Sequence, residues 1–183
     1  MIVIKLGGSL AATGTLADCL DAIERKFGGR AVVVVPGGGL FADQVRFAQQ
    51  QWQFDDVTAH RMALLAMQQM ALLFNGLKPN WTIIPRIADL QDHPATRIWS
   101  PDPDELDQAG IPASWDITSD SLATWLAEQI SAEELILVKS APIEGSESLE
   151  ELAARQIVDK AFWDYAADAL FKITIINQHT LNG

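Results

Sequence analysis

Cysteine is almost missing from this sequence, positive charge is scarce, and no long apolar run is present. The only cysteine, Cys19, excludes an internal disulfide and any zinc cluster built on thiolates. Thirteen Lys and Arg face 24 Asp and Glu, a net charge of −11 over 183 residues. A surface of that sign repels phosphate backbones and anionic lipid, so no nucleic acid and no membrane is expected as a partner. One cationic cleft within it can still hold a nucleotide. No apolar stretch approaches the ~20 residues needed to cross a bilayer. The opening segment lacks the apolar core of a signal peptide, so a cytoplasmic protein is expected. Familiar nucleotide fingerprints are missing as well: no GxxxxGKS/T phosphate loop, no GxGxxG after a strand, and no HRD or DFG. What is present is a chain that folds on a core, 49% hydrophobic and 20% charged, of a length suited to one domain.

The order of elements is regular. MIVIKL (1–6) is apolar apart from Lys5 and stops at Gly7-Gly8-Ser9, as a buried strand feeding a glycine loop does. Apolar positions 16, 20, 23 and 27 recur at helical spacing, and Gly28-Gly29 ends that helix. AVVVVP (31–36) is a second strand, opening into Gly37-Gly38-Gly39 and a helix over 40–51. Residues 56–74 form the longest predicted helix, apolar on most of its circumference and therefore buried against the sheet or a second subunit, with Asn75-Gly76 as its stop. Strands are predicted at 81–84, 95–99, 135–139 and 172–176, with helices at 118–130, 148–154 and 158–169. The connection from Pro85 to Pro94 and the Pro- and Asp-rich stretch 100–116 are predicted to be irregular. Strand, glycine loop and helix, repeated, is the grammar of an α/β fold wound on a parallel sheet. Two parallel strands that both end in glycines place both loops on one edge of the sheet, where open α/β sheets bind ligands. Bare backbone amides there can approach an anion closely, and Lys5 just before the first loop adds charge.

Lys5-Leu6-Gly7-Gly8-Ser9, Pro36-Gly37-Gly38-Gly39 and Thr118-Ser119-Asp120-Ser121 together resemble the amino acid kinase superfamily, which includes the acetylglutamate, aspartate, uridylate and isopentenyl phosphate kinases. The order of elements matches over almost the whole chain. The resemblance implies a three-layer αβα sandwich with a mainly parallel central sheet, a single domain over 1–183. Its acceptor-binding half would span about 1–115 and its nucleotide-binding half about 116–183. It also implies ATP as phosphoryl donor, with Mg2+ carried by the nucleotide rather than by a protein metal site. The small size and the segment Asp56, Ala59-His60-Arg61-Met62-Ala63 and Ala66-Met67 look most like one branch. Its members are short kinases of methanofuran and related C1-carrier biosynthesis, which convert an (aminomethyl)furanylmethyl phosphate to its diphosphate.

On that resemblance Lys5 matches the lysine that contacts the moving phosphoryl group, and Asp120 the aspartate that orients catalytic lysines; Asp120 also suits a helix N-terminus on its own account. Gly7, Gly8 and Ser9 would cradle ATP phosphates, joined by Lys139 at the end of its strand. Gly37, Gly38 and Gly39 would receive the acceptor. Many relatives carry Thr-Asp where this chain has Lys139-Ser140, which leaves the base and ribose contacts open. Lys160 and Lys172 are alternative phosphate-binding lysines, and Asn177 stands where relatives often turn. His60 and Arg61 are candidates for an acceptor that already carries a phosphate; Arg86 and Arg97 are weaker ones. Trp99 and Trp115 fit either packing or the wall of an acceptor pocket, Met62, Met67 and Met70 fit packing, and Asp102, Asp104, Glu105 and Asp107 fit a solvated loop. A small-molecule phosphorylated substrate and a homo-oligomer formed through helix 56–74 are expected. Two other functions remain open at this level: a noncatalytic nucleotide-binding or sensing subunit on the same fold, and a carboxylate kinase acting on an acylated amino acid.

Overall fold

The computed structural model describes residues 1–90, 93–143, 147 and 149–182. Six strands form one sheet: β1 (Ile2–Leu6), β2 (Ala31–Pro36), β3 (Thr82–Ile84), β4 (Ala95–Trp99), β5 (Glu134–Lys139) and β6 (Lys172–Asn177), in the order β3-β4-β2-β1-β5-β6. Every pairing is parallel, with Lys5 opposite Val35 on one side and Leu137 on the other. The helices are α1 (Ser9–Ala12), α2 (Leu16–Phe27), α3 (Gly39–Trp52), α4 (Asp56–Leu77), α5 (Pro103–Gln108), α6 (Ser119–Gln129), α7 (Leu149–Ala154), α8 (Phe162–Ala166) and α9 (Gln178–Asn182).

Parallel strands are buried on both faces, which is why β1, β2 and β5 read as continuous apolar runs. Their alternation separates two cores. Ile2, Ile4 and Leu6 pack with Val32, Val34, Ile136 and Val138 against α1, α2 and α9. Val3, Val33, Val35, Leu135 and Leu137 pack against α6 and α8 on the other face. The result is the three-layer αβα sandwich. α4 joins both cores, through Leu64 and Met67 on one side and Met70 and Phe74 on the other. Beyond them, Phe47, Trp52, Leu65 and Leu72 leave an apolar face of α3 and α4 exposed.

Several elements differ from the sequence-based expectation, each for a local reason. Residues 100–116 are not wholly irregular. Asp102 accepts from the Asp104 amide at 3.0 Å as N-cap of α5, Pro103 begins the helix where its missing N–H costs nothing, and Leu106 is buried. Asn75-Gly76 do not stop α4, which runs to Leu77; Asn75 instead donates to the Trp81 carbonyl at 2.7 Å and ties down the entry to β3. The helix expected over 158–169 shortens to α8, because the segment before it is drawn toward α6: the Ala161 amide donates to Asp116 at 2.9 Å, and Asp159 is held at the α6 N-terminus. Within the Pro85–Pro94 connection a 3-10 turn forms at Ile87–Asp89; residues 91–92, like residue 148 of the predicted 148–154 helix, lie outside the described residues. The short α1 and α9 have no counterpart among the helices expected from the sequence.

The two glycine loops touch. A Cβ on Gly8 would lie 2.3 Å from the Gly39 nitrogen, and one on Gly37 would lie 2.6 Å from the Gly8 nitrogen. Backbone cannot step aside as a flexible side chain can, so the close approach of these crossovers depends on glycine at both positions. Gly8→Ala is therefore expected to destabilise the protein by about 1–3 kcal/mol. Gly76→Ala, at an exposed helical position with open space around it, is expected to stabilise by about 0.5–1 kcal/mol. Urea unfolding of both variants checks the pair, and a neutral Gly8→Ala would refute the packing argument.

Candidate active site

Strand alternation builds the centre of the site. Lys5 shares the face of β1 that carries Val3, and Lys139 shares the face of β5 that carries Leu135 and Leu137. Both ammonium groups thus point to the side covered by α6, whose first turn supplies Asp120. Asp120 lies between them. Lys5 Nζ forms an ion pair with Oδ1 at 2.8 Å, and Lys139 Nζ donates to Oδ2 at 2.6 Å. Lys5 and Asp120 are buried and Lys139 is partly exposed, with side-chain exposures of 5, 5 and 12% for Lys5, Asp120 and Lys139.

Burial alone would push the Asp120 carboxyl up, but the two ammonium groups outweigh it and hold the group at about 2. Lys139 moves the other way. Burial first and the Lys5 charge second lower it to about 8, although Asp120 opposes both. The three side chains together carry one net positive charge, partly offset by the Asp159 carboxylate that also acts on Lys139.

Thr118, at the N-cap of α6, makes no side-chain cap of its own. The Asp159 carboxylate accepts from the Thr118 amide at 2.9 Å and hydroxyl at 2.7 Å, from the Ser121 amide at 3.0 Å, and from the Ser121 hydroxyl. Asp159 also donates its own amide to Asp120 Oδ2 at 3.2 Å. An anion therefore already occupies the N-terminus of α6, and Asp120 is fixed from behind. Sequence reasoning missed Asp159, because a cap contributed from 38 residues downstream leaves no local spacing to read.

The loops beside the cluster are only partly free to bind anions. The Gly7 amide donates to Val138 at 3.0 Å and that of Gly37 to Leu6 at 2.9 Å, extending the sheet ladders. The Gly7 amide is thus withdrawn from the phosphate-cradling role expected of it, and the Gly37 amide from the acceptor-binding role. Among the described residues the Gly8 and Gly38 amides donate to no backbone carbonyl, and both glycines border a cavity. Ser9 Oγ lies 2.8 Å from Ser140 Oγ, bridging the loops that follow β1 and β5. This is the switch point of the sheet: α2, after β1, packs on one face, and α8, after β5, on the other.

The cavity, about 300 Å³, is bounded by Gly8, Ser9, Gly38 and Gly39 at its floor, by α3 and α4 along its sides, and by Trp115 and the start of α6. His60 lines it and is 8% exposed; burial and the nearby Arg61 charge lower its imidazole below the ordinary value, against the pull of Asp107. Arg61 does not reach the cavity. Its guanidinium pairs with Asp107 on α5, so the acidic segment read as a solvated loop is a partner surface for α4. The arginine in the cavity wall is Arg46, 3.8 Å above the Trp115 ring. The signal for it in the sequence is a basic residue on the predicted 40–51 helix.

The remaining candidates lie elsewhere. Lys172 begins β6 and pairs with Glu134 at 2.9 Å, at the edge of the sheet opposite the glycine loops. Lys160 is exposed and pairs with Asp116. Asn177 donates to Ala141 at 2.7 Å and ties down the loop after β5. Arg86 pairs loosely with Asp102, and Arg97 is buried beside His93. Trp99 is fully buried against Trp125, whereas Trp115 forms cavity wall. Met67 and Met70 pack in the core, and Met67 also borders the cavity. No group of three or more His, Cys, Asp or Glu able to hold a metal occurs among the described residues.

The chain thus carries a central parallel sheet with paired glycine loops beside a Lys-Asp-Lys cluster, and comparison with known proteins supplies its class. The sequence profile of the amino acid kinase family matches residues 1–142, and the chain belongs to that family. Among curated proteins it is similar to the [5-(aminomethyl)furan-3-yl]methyl phosphate kinase of Methanocaldococcus jannaschii, 24% identical over all of this chain and 88% of that protein. Its fold is similar to that of uridylate kinase from Archaeoglobus fulgidus (TM-score 0.74, 15% identity, 99% of this chain and 93% of that one). It also resembles UMP kinase from Ureaplasma parvum (TM-score 0.70, 15% identity, 99% and 91%). Aspartate kinase from Synechocystis shares the fold over 98% of this chain but 38% of its own (TM-score 0.66, 16% identity). The protein is thus a kinase of the amino acid kinase fold. Among the described residues no helix is long and apolar enough to cross a membrane.

The lowered Lys139 gives the site a pH signature. Its ammonium is present below about pH 8 and is lost above it, so any assistance to phosphoryl transfer falls as pH rises through that value. The kcat/KM profile is expected to have an alkaline limb near pH 8 that Lys139→Arg moves upward by more than a unit, since guanidinium does not titrate there. An unchanged limb in Lys139→Arg would show that Lys139 takes no part.

Proposed function

We propose that the protein transfers the γ-phosphoryl group of ATP to a phosphate monoester, [5-(aminomethyl)furan-3-yl]methyl phosphate or a close analogue, giving the diphosphate. The observation that carries this reading is the Lys5–Asp120–Lys139 cluster, set beside glycine loops that open on a cavity suited to a small acceptor. A net positive charge with unspent loop amides fits a triphosphate. The likeness to the furanylmethyl phosphate kinase favours that acceptor among phosphate monoesters.

In-line phosphoryl transfer asks a protein chiefly for positioning and for charge on the moving oxygens. An oxygen of the acceptor phosphate attacks the γ-phosphorus, the bond to the β-phosphate oxygen breaks, and ADP leaves. On this reading Lys5 and Lys139 meet the oxygens of the transferring group, while Asp120 keeps the two ammonium groups from separating. Asp120 is a positioning residue. The Gly8 and Gly38 amides add donors, with Gly39 and Ser9 beside them. His60 borders the acceptor, and the Arg61 role passes to the wall formed by Arg46 and Trp115. Magnesium arrives with the nucleotide, held by its phosphates and water. The acceptor half lies within about 1–115 and the nucleotide half within about 116–183, although Thr118, Ser119 and Leu122 also border the acceptor cavity. The exposed apolar face of α3 and α4 supports a homo-oligomer.

The test is Mg-ATP turnover with the furan monophosphate, with UMP and N-acetylglutamate as rivals. Diphosphate product from the furan, reduced about 10²-fold or more in Lys5→Ala, is expected. An acyl phosphate trapped by hydroxylamine, or ATP binding with no transfer to any acceptor, would replace this reading with a carboxylate kinase or a sensing subunit.

A further inference from the structure

Asp159 is bound more fully than a helix cap requires. A cap needs one side-chain oxygen on one orphan amide, and the Thr118 hydroxyl stands at the N-cap to supply it, yet makes no such bond. Instead one oxygen of the half-buried Asp159 carboxylate takes three donors, the Thr118 amide and hydroxyl and the Ser121 amide, and the other takes the Ser121 hydroxyl. Four donors fix where this charge lies. The Asp159 backbone amide meets Asp120 Oδ2 at 3.2 Å, the same oxygen that receives the Lys139 ammonium at 2.6 Å. Lys139 faces Lys5 from β1, Asp120 from α6 and Asp159 from the segment before α8, while its register partner on β6, Asn177, is uncharged. Asp120 is already shared between two ammonium groups. Asp159 is the second carboxylate acting on Lys139, and its charge opposes the burial and the Lys5 repulsion that bring that ammonium down to about 8.

We propose that Asp159 is a positioning residue for phosphoryl transfer: it fixes Asp120 through its amide and, through its carboxylate, keeps the Lys139 ammonium charged for the incoming phosphates. The N-terminus of α6 is then given over to this carboxylate rather than to a phosphate of the substrate. This rests on Lys139 assisting the transfer, as argued above, and adds a residue that acts through it. The two duties separate chemically. In Asp159→Asn the carbonyl oxygen can still accept from Thr118 and from the Ser121 amide, and the new amide nitrogen can donate to the Ser121 hydroxyl, which accepts as readily as it donates. The main-chain bond to Asp120 is untouched. Only the charge is lost, and an ammonium that loses a stabilising anion releases its proton at lower pH.

The experiment reads Lys139 directly and then the reaction. In the full chain labelled with 13C-lysine, the Lys139 ε-carbon resonance, assigned by its loss in Lys139→Arg, is followed against pH without nucleotide. Its midpoint in Asp159→Asn is expected at least about half a unit below that of the wild type. In Mg-ATP turnover with the furan monophosphate, the kcat/KM deficit of Asp159→Asn should grow about threefold between about pH 6.5 and about pH 8.5, as a half-unit shift requires. Asp159→Ser removes the charge and leaves a capping hydroxyl, and it is read the same way if the Asn variant does not fold. Equal midpoints in wild type and variant, or a deficit that does not change with pH, overturns the proposal, because a purely structural cap would lower activity alike at every pH. Absence of turnover in the wild type refutes the furan acceptor alone. A lower Lys139 midpoint in Asp159→Asn then still supports the role given to Asp159, and equal midpoints still overturn it.

Discussion

Two ammonium groups cannot sit close together out of water unless something holds them there, and here that is one carboxylate. Desolvating Lys5, Asp120 and Lys139 costs several kcal/mol per ion, repaid only while all three remain in place. Stripping the carboxylate from such a cluster costs about 3–5 kcal/mol, since it leaves uncompensated charge inside the core. Much of the surrounding architecture serves this arrangement. β1 and β5 are neighbours, so the two lysines meet across one strand pair. α6 is buried from Ser119 to Ala127, which fixes its first turn over that pair. Asp159 caps α6 and donates its amide to Asp120, so the carboxylate is held from both sides.

The same cluster explains why the glycines matter. A net positive centre binds a polyanion only if the anion can come near it, and side chains on the two crossovers would keep it away. Gly8 and Gly39 approach closely enough that the loops form one continuous floor. The helices that follow do different work. α1 and α2 anchor the first loop to the core, whereas α3 and α4 extend from the second loop as the walls of a cavity. On the proposed reading, chemistry lies at the edge of the sheet and selectivity with the helices. An acceptor site along α3, α4 and the Trp115 segment would then vary without disturbing the cluster.

The fold was legible where one segment determines one element. MIVIKL and AVVVVP can only be buried strands, and the glycines after them fix which edge of the sheet carries ligands. Lys5 and Asp120 were legible because a lone lysine in an apolar strand and an acid at a helix start are both local anomalies. Tertiary partners were not. Nothing near Arg61 shows that Asp107 claims it, and nothing near Thr118 announces Asp159. The α5 helix is readable in principle, since Asp102-Pro103-Asp104-Glu105 is an N-cap, a first-turn proline and an acidic first turn, but the same prolines and aspartates also suit a loop. Gly7 and Gly37 show the opposite limit: their sequence pattern matches loops that offer amides to a ligand, yet the sheet ladder takes both amides.

A crystal structure with Mg2+ and a nonhydrolysable ATP analogue tests the central claim most directly. The account predicts Lys5 and Lys139 Nζ within about 3.2 Å of phosphate oxygens, still joined through Asp120, with the triphosphate against the Gly8 and Gly38 amides. A triphosphate bound away from the two lysines, with both ammonium groups facing Asp120 alone, would contradict it.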